Sequence, residues 1–191
     1  MTRWVFMAGA LVVLTACGGG GGGGTSSQPS QPAKAVGLAY TDPASGSFRL
    51  VRDASSTSTK LILRLVGPAA STGRGVAFTF TVDPALADLV KVADADAEYV
   101  QNGDAFVLGD APRFLKGIKQ NGTVSVTVSQ KGQGSARALD ATLLKVAVQF
   151  KATAGLNAGT VIPISVTEGQ YLPAIGGPAA MNVSTGSLKA Q

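Results

Sequence analysis

Along much of the chain, apolar side chains fall at every second position. Leu61, Leu63 and Leu65 alternate with Lys60, Ile62 and Arg64, and Val76, Phe78, Phe80 and Val82 with Ala77, Thr79 and Thr81. Val124, Val126 and Val128 alternate with Thr123, Ser125, Thr127 and Ser129; Leu144, Val146, Val148 and Phe150 alternate with Lys145, Ala147, Gln149 and Lys151. Successive side chains of a strand point to opposite faces, so each run predicts a strand with one face inward and one toward water. Ile162, Ile164 and Val166 form a fifth set, which Pro163 marks as an edge or irregular strand because proline donates no ladder hydrogen bond. Ser47–Arg52, Ala105–Leu108 and Met181–Lys189 are shorter candidates.

Turn signals separate the runs: Gly67-Pro68, Gly73-Arg74-Gly75, Asn102-Gly103, Asn121-Gly122, Gly132-Gln133-Gly134 and Gly176-Gly177-Pro178. One helical start stands out, Asp83-Pro84-Ala85-Leu86, with aspartate as cap and proline at the first helical position; it predicts a single turn. Several strands without alternating helices predict an all-β, antiparallel two-sheet sandwich.

The N-terminal end follows another pattern. Arg3 is followed by an apolar stretch from Trp4 to Ala16, about 20 Å long as a helix and too short for a bilayer core of roughly 30 Å. It has the length of a signal peptide, assigned to residues 1–16. Leu14-Thr15-Ala16-Cys17 resembles the lipobox of bacterial lipoproteins. That resemblance implies cleavage before Cys17, diacylglyceryl and palmitate-type acylation of this cysteine, and a lipid anchor in a membrane. Gly19 rather than aspartate after the cysteine implies, in a Gram-negative host, the outer membrane of the cell envelope. Residues 17–34 carry seven consecutive glycines and then Ser, Gln and Pro. Such a segment has little to bury and reads as a flexible linker reaching roughly 20–25 Å. The glycine run lacks the Lys-Ser/Thr ending of a phosphate-binding loop. Residues 35–191 are the expected folded domain.

Composition narrows the chemistry. There is no histidine and one cysteine, which excludes Ser-His-Asp and Cys-His catalysis, histidine-based zinc sites and an internal disulfide. The net charge is +5, but no two basic residues are adjacent, so the basic stripe of a nucleic-acid-binding protein is missing. A domain of roughly 150 residues is large enough to stand on its hydrophobic core alone. No enzyme activity and no cofactor are expected.

A family resemblance runs through the expected domain. Phe78-Thr79-Phe80-Thr81-Val82-Asp83-Pro84-Ala85-Leu86 resembles the cohesin segment in which a strand runs into a D-P-x-x-L turn. Leu144–Ala152 followed by Gly159-Thr160-Val161-Ile162-Pro163-Ile164 is similar to that family's late strand pair, and Asn182–Leu188 to its closing strand. The resemblance implies a jelly-roll sandwich of about nine strands. It also implies a binding face, because cohesins use one sheet face to hold dockerin modules, and the fold is shared with some cellulose-binding modules. Val82 stands where cohesins often carry tyrosine, and the 94–112 loop is long.

Three sets of residues are candidate sites. Asp94, Asp96 and Glu98 share a face if extended, with Asp104 and Asp110 following, and clustered carboxylates suit calcium; an acidic edge that blunts strand pairing is the alternative. Tyr40, Tyr99 and Tyr171 are the rings open to a glycan role, since Trp4 leaves with the leader. The outward Ser/Thr positions of residues 79–81 and 123–129 form an uncharged face suited to a protein, or simply a solvated one. The expected function is a tethered, non-enzymatic module binding another envelope or secreted protein, with polysaccharide binding as the alternative.

Overall fold

The computed structural model describes residues 31–106, 113–130 and 135–191. The leader, Cys17, the glycine run, Leu108, Asp110 and the Gly132-Gln133-Gly134 turn lie outside the described residues. The folded unit spans Pro32–Gln191. Ala33 and Lys34, placed in the linker by composition, already touch it: the Ala158 N–H donates to the Ala33 carbonyl at 2.8 Å, and Lys34 bridges Asn157.

Fifteen strands occur among the described residues. The first five are β1 (Leu38–Thr41), β2 (Phe48–Arg52), β3 (Lys60–Val66), β4 (Thr72–Val82) and β5 (Ala87–Val90). Then come β6 (Gln101–Asn102), β7 (Arg113–Gln120), β8 (Thr123–Gln130), β9 (Arg137–Ala138) and β10 (Thr142–Phe150). The last are β11 (Val161–Ile162), β12 (Ile164–Pro173), β13 (Ala179–Ala180), β14 (Val183–Ser184) and β15 (Ser187–Ala190). One large sheet has the order β14-β2-β3-β10-β5, with β6 also on β10; the other is β13-β12-β4-β8-β7, with β9 also on β4. A small sheet, β1-β15-β11, joins the two ends of the domain. All pairs are antiparallel except β14 with β2.

The alternating runs supply the core. Leu61, Leu63 and Leu65 of β3 meet Val76, Phe78, Phe80 and Val82 of β4, Val124, Val126 and Val128 of β8, and Leu144, Val146 and Val148 of β10 in one buried cluster. Asp83 caps its turn as expected, its carboxylate accepting the Ala85 N–H at 2.9 Å. The one helical segment among the described residues is a 3-10 turn at Ala152–Ala154.

Several expectations are corrected. The strand count exceeds nine because small edge segments add pairings that alternation cannot signal. Pro163 does more than roughen an edge: Val161 and Ile162 pair with β15, while Ile164 onward pairs with β4. The chain thus changes sheets at the residue that lacks an N–H. No strand forms at Ala105 and Phe106, which lie in a turn. Met181–Lys189 is two short strands, not one. Ile62 and Ala147, outward by alternation, are buried beneath Val92 and Val90. Arg113–Gln120 is a full strand that alternation missed; Asn121 and Gly122 turn it into β8 with φ of 45° and 77°, the left-handed pair that a tight hairpin needs.

Candidate functional site

The outer faces of the two large sheets differ. On the β3-β10 sheet, Val90 and Val92 cover Ile62 and Ala147, and charged residues flank the cover. Arg52, Asp53, Arg64, Asp104 and Lys145 surround a hollow there. Asp53 accepts the N–H and hydroxyl of Ser55 and pairs with Lys145 at 3.0 Å. Burial alone would raise its carboxyl, but these hydrogen bonds and the ammonium outweigh it and hold the group at about 2.

The β12-β4-β8-β7 face carries no such cover. Strand register sets Ile118, Ser125, Thr79 and Thr167 in one row and Lys116, Thr127, Ala77 and Gln170 in the next. Phe114, Ser129, Gly75 and Leu172 form a third. Hydroxyls pair across strands, Thr79 with Ser125 at 3.3 Å and Thr81 with Thr123 at 3.2 Å, so these side chains are held rather than free. Phe114 and Ile118 are 44% and 57% exposed, an apolar margin on a surface that carries Lys116 in its second row and Glu168, whose carboxylate accepts the Thr79 hydroxyl at 2.8 Å. Beside them a hollow of about 110 Å³ opens where Gly75 and Ala77 leave the sheet low between Ser129, Leu172 and Pro178. A β-carbon on Gly75 would meet that of Ser129 at 2.5 Å, so glycine is required to keep the row closed.

The free edge of this sheet is blunted. The Gly117 N–H of β7 donates to the Glu98 carboxylate at 3.0 Å, and the Lys116 ammonium reaches its other oxygen at 2.9 Å. The Gly117 bond first, then Lys116, lowers the Glu98 carboxyl below its usual value. A side chain that occupies edge N–H groups hinders pairing with another chain's strand.

The sequence candidates are not drawn together. Asp94 is fully exposed beside Lys60 at 3.5 Å, Asp96 accepts the Ala93 N–H at 2.8 Å, and Glu98 is engaged at β7. Residues 92–99 bend rather than extend, so the shared face never forms, and among the described residues no three Asp, Glu, His or Cys side chains gather as metal ligands. The tyrosines make no platform. Tyr40 is buried, its hydroxyl donating to the Leu50 carbonyl at 2.8 Å and accepting the Gly186 N–H at 2.6 Å; burial pushes it up to about 12. Tyr99 packs on the core with the Lys119 ammonium 5.4 Å from its ring, and Tyr171 packs against Phe48. Phe114 and Ile118 escaped the sequence reading because β7 has apolar residues on both faces; the Asn121-Gly122 hairpin signal before β8 could have found the strand.

No protein-family profile matches the chain, and no curated protein matches it. Solved structures do. The second type II cohesin module of the adaptor scaffoldin of Acetivibrio cellulolyticus is 10% identical, with 72% of this chain on 92% of that one and a TM-score of 0.57. The fold is cohesin-like. A type II cohesin domain from the cellulosome of the same organism agrees at 12% identity, over 74% and 93% of the two chains, with a TM-score of 0.56. A chain of a type I cohesin–dockerin complex from Clostridium thermocellum gives 10%, 75% and 93%, and 0.52. Against the cohesin-like frame, Val82 is fully buried at the end of β4, and the long loop after Asp94 contributes β6 to the flank of β10.

Proposed function

We propose that this chain is a non-enzymatic binding module that holds another envelope or secreted protein on the outer face of the β12-β4-β8-β7 sheet. The observation that carries the reading is the contrast between the two faces. One is mostly hydroxyl and apolar, pinned by hydroxyl pairs and edged by exposed Phe114 and Ile118, with Lys116 the one charged residue of its three rows. The other is capped and ringed by Arg52, Asp53, Arg64, Asp104 and Lys145. Interfaces are built around such desolvated apolar anchors within a polar surround. The cohesin-like fold supports the reading, since two of the structures it matches are cohesin–dockerin complexes.

The test is capture from the host's envelope and secreted fractions with wild-type chain and with Ala77→Arg and Ile118→Asp. A protein held by the wild type and weakened at least about tenfold by both variants supports the reading, since a buried unpaired charge at an interface is costly. A partner held equally well by both variants excludes this face.

The reading includes tethering through Cys17 to the outer membrane. Labelled palmitate fed to the host is expected to enter the wild-type protein and not Cys17→Ser, and the variant is expected to leave the membrane fraction. Labelling that persists in the variant rules the anchor out. The alternative, a single glycan platform built from the three tyrosines, is not favoured by a buried Tyr40 and by Tyr99 packed on the core with Lys119 over its ring.

A further inference from the structure

A second concave surface lies at the flank of the sandwich, where the β14-β2 edge of one sheet faces the β13-β12 edge of the other. Two hollows, of about 420 and 470 Å³, share Gly46, Ser47 and Pro68 and so form one groove. Both sizes fall in the range of small-molecule sites. Ser184 sits directly opposite Arg49 on the parallel β14-β2 pair. Tyr171 of β12 spans the gap between sheets, its ring centroid 5.4 Å from that of Phe48 and tilted by 43°. Tyr171 is only half-buried and lines the groove.

The groove's polar side chains are uncommitted. Ser47, Ser71, Ser184 and Asn182 all line it, and none of these side chains hydrogen-bonds to another described residue. Arg49 has no ion pair or hydrogen bond from its guanidinium, and no carboxylate lines either hollow. Elsewhere on the domain such groups are paired: Asp53 with Ser55 and Lys145, Thr79 with Ser125, Glu98 with Lys116. Hydroxyls and an amide offer both donors and acceptors, which is what saccharide hydroxyls require, and an uncompensated guanidinium matches a carboxylate in a two-pronged bond. The strands bordering the groove, β13 and β14, are two residues each, too short to template an added peptide strand.

We propose that this groove binds an acidic saccharide, with Arg49 taking the carboxylate of a uronate unit, Asn182 and Ser47 its hydroxyls, and Tyr171 one ring face. The groove shares Tyr171 with the small hollow of the β12-β4-β8-β7 face, but Arg49, Ser47 and Asn182 lie away from that hollow, so variants at these residues test it independently of the protein-binding reading.

The test titrates the full chain with hexagalacturonate, cellohexaose and a short polyglutamate. Hexagalacturonate is expected to bind, with cellohexaose weaker by about tenfold, the effect of losing a charge-assisted contact. Arg49→Gln should abolish that preference and Asn182→Ala weaken both sugars, each variant keeping the wild-type melting temperature. Ile118→Asp should bind hexagalacturonate as the wild type does. No saturation by hexagalacturonate up to about 10 mM, where even a weak site would fill, would overturn the proposal. So would equal affinity for cellohexaose, an unchanged preference in Arg49→Gln, or polyglutamate binding as tightly as the acidic sugar.

Discussion

Phe80→Ala is expected to destabilise the domain by about 3–5 kcal/mol, the range for truncating a buried aromatic. Phe80 is fully buried toward the C-terminal end of β4, with Val124 of β8 on one side and Val166 of β12 on the other. Its ring points at the inner face of the β3-β10 sheet, where Leu63, Leu65, Val146 and Val148 are themselves fully buried. The cavity left by the ring has backbone ladders on both sides, which resist collapse. In a domain of this size each kcal/mol moves the melting temperature by about 2–4 °C, so calorimetry should show a drop on the order of 10 °C. Thr127→Ala, on the outer face of β8 and without a side-chain partner, should stay within about 0.5 kcal/mol of the wild type. A small loss at Phe80 would mean that the two sheets are not packed through this ring.

Asp53→Ala is expected to cost about 2–3 kcal/mol at neutral pH, because it strands the Lys145 ammonium and the Ser55 donors in a mostly buried setting. The loss carries a pH signature. The Asp53 carboxyl lies at about 2 in the folded domain, below its value in an unfolded chain, so its contribution is complete above about pH 4. As pH falls through the folded value, the proton is taken up and about 2 kcal/mol of stability disappears. Urea midpoints of wild type and variant should therefore differ at pH 7 and converge near pH 2. A gap that stays constant with pH would show that packing, not the ionised carboxylate, supplies the stability.

The binding face was half legible before the structure. The outward Thr79, Thr81, Ser125 and Thr127 follow from alternation alone, because side chains in a strand must take opposite sides. Their neighbours Phe114 and Ile118 did not follow, since β7 lies at a sheet edge where neither side is fully covered and apolar residues on both sides are tolerated. Carboxylate clustering was misjudged for a related reason. Asp94, Asp96 and Glu98 share a face only in extended backbone, and the 92–99 segment instead bends so that Val92 covers Ile62 and Glu98 reaches Gly117.

Period-two alternation determined from the sequence alone that the domain is all-β, which face of each of the four long runs meets the core, and where Asp83 turns the chain. These are local consequences of side chains alternating across a pleat. The absence of histidine and the isolated cysteine likewise excluded whole classes of catalysis without any coordinates. Only the tertiary structure decided which strands are neighbours, that Pro163 passes the chain between sheets, and that one outer face is covered while the other stays open. It alone brought Arg49, Tyr171 and Asn182, far apart in sequence, to one groove. Pairing between distant strands depends on the packing of the whole core, and no local pattern encodes it.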